Sequence, residues 1–270
     1  MAMKNRDSIV PNIDEIDDKL EADIVKHKKR KMKITIISAL VFLFIFRGAL
    51  TYWLKFSIAF PSGHTAEKIN IMQEPVQKNY NLAEQKQKTF IYQSLINTNK
   101  VKMIPQAHYV LSGRAVAINH DFLFISKFFD SVALYDLGTA WGGMTDKKLY
   151  KKYLKVYSLK TELTGARRLH WSWNEGIPYS SDYISSHLSH THIIPANRNI
   201  MAAMLKLKKF EDFKIEGELV DMVYYDKSKN KEFNYHTSLS RKDSDITSRG
   251  SGSCETMYVT KVQIGKKIYK

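Results

Sequence analysis

Hydrophobic positions along the chain fall into three regimes. Ile9, Ile13, Ile16, Leu20 and Ile24 recur at helical spacing, with DEIDDKLEAD supplying the polar side, and predict a short amphipathic helix. Residues 34–54, ITIISALVFLFIFRGALTYWL, are apolar except for Arg47 and a few small or hydroxylated residues, and their length matches the roughly 20 residues of a membrane-spanning helix. Beyond them a polar stretch rich in Gln, Asn and Lys runs to about residue 88, and periodic patterns begin again near FIYQSL.

From there strand patterns dominate. HYVLSGRAVAI at 108–118 reads as a strand in which Gly113 marks a bulge or the close approach of another backbone. DFLFISKFF continues in a β-prone composition, and DLGTAWGGMTD reads as a turn-rich stretch around Trp141. TDKKLYKKYL predicts a short basic helix, VYSL and RLHWSW two strands, YSSDYISSHL a short helix and HTHII a short strand. NRNIMAAMLKLKKF predicts a helix capped by Asn197. DFKIEGELVDMVYY, EFNYHTSL and CETMYVTKVQIG close the chain as strands.

These elements predict an α+β protein: an N-terminal transmembrane helix followed by a β-rich extracytoplasmic domain, with a small barrel or a strongly bent sheet as its form. The expected organisation is a cytoplasmic tail at 1–33, an anchor at 34–54, a stalk or linker at 55–100 and the outer domain at 101–270.

Charge sharpens the topology. The chain carries +15 overall, yet residues 1–25 are acidic, whereas KHKKRKMK immediately before the apolar segment is strongly basic. By the positive-inside rule the N-terminus is cytoplasmic and the domain lies outside, as for a single-pass protein of a bacterial inner membrane with its C-terminal domain in the periplasm. Arg47 then either snorkels to the outer interface or pairs with another membrane subunit. The remaining positive charge is interspersed with Asp and Glu without an Arg-aromatic stripe, so nucleic acid is not the expected partner. Neither dinucleotide nor P-loop glycine patterns occur, and no cofactor is expected.

The run LSGRAVAI, then DLGTAWGGMTD, HTHIIPAN with a following helix, FKIEGELVDM, and TSLSRKD with GSGSCETMYV resembles an uncharacterised family of bacterial single-pass, membrane-anchored envelope proteins. The resemblance covers about residues 105–262 and implies a shared fold and location, with no established reaction. In that family a compact Ser-Leu-x-Arg-x-Asp-x-Gly-x-Gly-x-Cys-Glu run is expected; here residues 244–253 lengthen the interval before Cys254.

Cys254 is the single cysteine, so no intramolecular disulfide forms and the fold stands on its core. Its candidate chemistry is nucleophilic: Cys254 as nucleophile, His192 or His236 as base, Asp243 or Glu255 as orienter. The alternative is a small residue entering a strand. His187, His190 and His192 form a second group; a helix pairs 187 with 190, a strand pairs 190 with 192, and with Asp182 the one acid nearby, no metal site is expected. Arg241 and Asp243, same-faced on a strand, form an ion pair or an anion clamp, and with Trp141 are the candidate binding residues. The leading functional expectation is a membrane-anchored envelope protein binding a protein partner or an envelope polymer. The alternatives are a Cys-His hydrolase or transferase and an accessory subunit of a membrane complex.

Overall fold

The structure is a computed structural model describing residues 26–27, 29–44, 46–47, 57–120, 128–160, 167–226, 230–240 and 254–270. The amphipathic pattern at residues 9–24, Arg241 and Asp243 lie outside the described residues. The chain divides into two compact units, Met1–Leu54 and Lys55–Lys270.

In the first unit, residues 29–44 are helical (α1). The expectation of a membrane span is corrected here: among the described residues no helix is long and apolar enough to cross a membrane. The continuous described run gives about 24 Å at 1.5 Å per residue, short of the roughly 30 Å hydrocarbon core. Its first turn is charged through Lys29, Arg30, Lys31 and Lys33, so the apolar part starts only at Ile34. Residues 45 and 48–54 of the expected span lie outside the described residues. The single-pass anchor, the transmembrane fold class, the membrane as partner and the inner-membrane and periplasmic placement that followed from it are therefore not supported.

The second unit is β-rich. In chain order it contains β1 (Gly63–His64), β2 (Val76–Asn79), α2 (Leu82–Lys88), β3 (Phe90–Gln93), β4 (Lys100–Asn119), α3 (Phe128–Val132), β5 (Tyr135–Ala140), α4 (Lys147–Lys152), β6 (Leu154–Lys160), β7 (Arg167–Trp173), α5 (Ser181–Ser186), β8 (Leu188–Pro195), α6 (Arg198–Lys206), β9 (Asp212–Asp226), β10 (Lys231–Tyr235), β11 (Glu255–Ile264) and β12 (Lys267–Tyr269). Residues 55–100, read from sequence as a stalk, contribute β1 to β12 and both β2 and β3 to β4. A capping box between Asn81 and Glu84 fixes the start of α2.

Five strands close a ring. β4 pairs antiparallel with β5, β5 antiparallel with β8, β8 parallel with β11, β11 antiparallel with β9, and β9 antiparallel with β4. β4 does this by changing partner along its length: residues 102–114 face β9 and 114–119 face β5. Register shifts at Pro105/Ala107, Ala115/Ala117 and Val259/Lys261 supply the bends that closure demands. Gly113 sits where a Cβ would come 2.7 Å from the Ala140 carbonyl oxygen, so the glycine permits a close backbone approach.

All five ring strands feed one core, including Tyr109, Leu111, Tyr135, Leu137, Ile193, Phe213, Ile215, Met257 and Val259, and α6 adds Ile200, Ala203 and Met204. Asn197 caps α6 by accepting from the Ile200 amide at 2.9 Å. Two further apolar clusters lie on the other face of these strands. One gathers Val116, Ala140, Leu154, Ile184 and Leu188; the other gathers Tyr92, Val132, Ile194, Val220 and Met222. The strip of strand surface between those two clusters is polar.

A candidate cysteine-histidine-aspartate site on the barrel wall

Side chains alternate across a strand, so β8 sends Ile193 into the ring and presents Leu188, His190, His192 and Ile194 on the opposite face. Leu188 belongs to one flanking apolar cluster and Ile194 to the other, leaving the two histidines between them. On β5 the same alternation puts Tyr135 and Leu137 in the core and Asp136 on the face of the histidines, opposite His192 in register. On β11 the parallel register sets Glu255 opposite Thr191, which brings Cys254 level with His190.

The contacts follow from that register. Cys254 Sγ lies 3.2 Å from His190 Nδ1. His190 Nε2 lies 3.9 Å from Asp136 Oδ1, and His192 Nδ1 lies 2.7 Å from the same oxygen. A carboxylate only accepts, so His192 donates through Nδ1–H and keeps Nε2 as its basic nitrogen. For His190 the geometry aims Nε2 at the carboxylate and Nδ1 at sulfur. The two imidazoles meet edge to face with centroids 4.6 Å apart, and Phe129 of α3 packs edge-on against His192 at 5.1 Å.

Burial raises the stakes of each contact. Asp136 is 1% exposed, His190 0% and His192 8%, whereas Cys254 is half-buried. A carboxylate so far from water must be compensated by donors, and two imidazoles converge on it. The phenols nearby do not share the proton chemistry near neutral pH: burial pushes Tyr92 and Tyr258 above the ordinary tyrosine range.

The sequence-derived candidates separate. Cys254 and His192 come together, but His190 rather than His192 lies at hydrogen-bond distance from the sulfur, and Asp136 lies beside the two histidines. His236 instead pairs through Nδ1 with Asp221 Oδ2 at 2.9 Å on a side chain 44% exposed. Glu255 lies on the opposite strand face from Cys254, 3.5 Å from the Thr191 hydroxyl. Trp141 is buried in the main core, 6.1 Å from the His187 ring, and not on a binding surface. His187 ends α5, its Nδ1 2.9 Å from the Tyr183 carbonyl, apart from the other two histidines.

A metal was not expected from the histidine spacing alone, yet ligand atoms of His190, His192 and Cys254 lie within 4.8 Å of one another. The alternation of HTH at 190–192 carried part of this signal; the third ligand, 62 residues beyond His192, did not. A small pocket of about 40 Å³ lies elsewhere, lined by Glu67, Lys214, Glu216 and Lys261. Its charges are satisfied locally: Lys261 Nζ lies 3.0 Å from Glu216 and Lys214 Nζ 3.8 Å from Glu67.

Compared with protein-family models, curated proteins and solved structures, the chain matches none.

Proposed function

We propose that this chain is a cysteine-dependent hydrolase or acyltransferase, with Cys254 as nucleophile, His190 as general base and acid, and Asp136 holding His190. The observation that carries the reading is the 3.2 Å separation of Cys254 Sγ and His190 Nδ1 on the line that continues to Asp136. Nucleophile, base and orienter in sequence is the arrangement that activates a thiol.

In this reading the thiol proton passes from Cys254 Sγ to His190 Nδ1, giving a thiolate beside an imidazolium that Asp136 stabilises. The thiolate attacks the carbonyl carbon of an ester, thioester or amide. The C–O, C–S or C–N bond to the leaving group breaks as His190 returns the proton to it. The resulting thioester on Cys254 is resolved by water in a hydrolase or by an amine or hydroxyl acceptor in a transferase, His190 taking the acceptor's proton and Cys254 leaving as thiolate. The half-buried position of the sulfur, beside fully buried partners, gives a substrate access while keeping the base shielded.

The test is the alkylation rate of Cys254 by iodoacetamide in the full chain, with chelator present, against the same chain in denaturant. Faster reaction in the native chain below about pH 7 is the expected result, and native protection with reaction only on unfolding refutes an activated thiol.

A further inference from the structure

We infer that Cys254, His190 and His192 also bind one thiophilic divalent cation of the zinc type, and that its binding masks the Cys254 thiol. The masking rests on the nucleophile reading above; the binding site rests on geometry alone.

Zinc prefers sulfur and imidazole ligands at about 2.3 and 2.0–2.1 Å, which places ligand atoms about 3.3–3.6 Å apart in a tetrahedron. The three ligand atoms here all fall within 4.8 Å of one another, and one pair, Cys254 Sγ and His190 Nδ1, is already at 3.2 Å. Coordination therefore asks the widest of these separations to shrink by at most about 1.5 Å. The second layer is also in place. A ligating histidine usually donates its other ring nitrogen to a carboxylate, which fixes its tautomer and raises its basicity. Asp136 Oδ1 stands 2.7 Å from His192 Nδ1 and 3.9 Å from His190 Nε2, which leaves His192 Nε2 and His190 Nδ1 as the nitrogens available to an ion.

The donor set names the metal class. One thiolate and two imidazoles favour zinc and its borderline-soft neighbours over magnesium or calcium, which take oxygen. Three protein ligands leave a fourth position for water, the coordination of an exchangeable site and not of a closed structural one. On binding, the thiol proton leaves to solvent and the sulfur pair that would attack an acyl carbon is engaged by the cation. Metal and acyl donor thus compete for the same sulfur.

Cobalt(II) is the probe, because a thiolate ligand gives an intense near-ultraviolet charge-transfer band. The chain has one cysteine, so that band reports Cys254 and is not produced by histidines elsewhere. Titration of the chelator-treated full chain is expected to saturate at one cobalt per chain, with the band lost on adding zinc. Cys254→Ser should abolish the band, His192→Ala should weaken cobalt binding at least about tenfold, and Asp136→Asn about 10–100-fold. Saturating zinc should slow alkylation of the wild-type thiol by at least about tenfold.

Absence of the band, or equal cobalt affinity in a folded His192→Ala chain, overturns the inference. Should that variant fail to fold, zinc protection of the wild-type thiol decides: an unchanged alkylation rate refutes the site. Fast alkylation in chelator with no cobalt band leaves the nucleophile and removes the metal. A cobalt band with slow alkylation does the reverse.

Discussion

Asp136 Oδ1 lies 2.7 Å from His192 Nδ1 across the antiparallel β5/β8 pair, and the same oxygen lies 3.9 Å from His190 Nε2. One buried carboxylate therefore hydrogen-bonds His192 and stands within ion-pair range of His190, and the consequence is testable at Asp136 itself.

Asp136→Asn keeps the shape and removes the charge. With the imidazolium of His190 no longer stabilised, alkylation of Cys254 near neutral pH is expected to slow by at least about tenfold. Loss of a charge-assisted bond inside the protein should cost about 1–3 kcal/mol of stability. Denaturant unfolding and the alkylation rate, measured on the same preparation, separate the two effects. An unchanged rate in a folded variant would mean that Asp136 serves packing and not the thiol.

Sequence pattern points to Cys254 and His192 but not to Asp136, for a physical reason. YDLGTA contains Asp and Gly, residues of turns, yet every residue of Tyr135–Ala140 is buried as a ring strand. Tertiary packing overrode local composition. β8 posed a related difficulty: all eight of its residues are buried, so polar and apolar positions carry no inside-outside contrast. Only the pairing partner tells His190 from His192, and the parallel neighbour β11 lies more than sixty residues further along. The elements with local causes were legible, as in the Asn197 cap and the alternating run of β9. The apolar run at 34–54 failed in the opposite way, since its composition spoke for a span that the described helix is too short and too charged at its start to make.

Gly217 guards the seam that closes the ring. A Cβ there would collide with the Tyr258 carbonyl oxygen and come 2.9 Å from the Tyr258 carbonyl carbon, both main-chain atoms of β11 that have no rotamer to escape into. Gly217→Ala should therefore destabilise by about 1–3 kcal/mol. Gly63→Ala, where nothing lies within 4 Å of the added carbon, is the contrast and should stay within about 0.5 kcal/mol. Urea midpoints at unchanged slope provide the comparison. Equal midpoints for the two variants would show that β9 and β11 adjust freely at the seam.

The Asn197 cap holds a helix whose inner face, Ile200, Met201, Ala203 and Met204, is fully buried. Asn197→Ala should cost about 1 kcal/mol by orphaning the Ile200 amide, and Asn197→Asp should retain most of the stability. A midpoint for the alanine variant that equals wild type would show the amide to be satisfied by another acceptor.

Alkaline pH should destabilise the fold through its tyrosines. Burial is the main cause that raises Tyr92, Tyr135 and Tyr150 above the ordinary phenol value, and burial followed by the Glu218 carboxylate raises Tyr80 to about 12. Between about 10 and these folded-state values the unfolded chain has released its phenolic protons while the native chain retains them. The unfolded state then binds fewer protons, so the unfolding free energy falls as pH rises. Stability from these groups is complete below about pH 10 and declines above it, Tyr80 ceasing to add to the decline beyond about 12. Tyrosinate absorbance should accordingly rise in two stages in the native chain, exposed phenols first and the buried set only with unfolding. The same titration in denaturant should show one stage. Coincident single-stage curves would mean that water reaches Tyr92, Tyr135 and Tyr150 in the native state, and that the packing around them is looser than their burial implies.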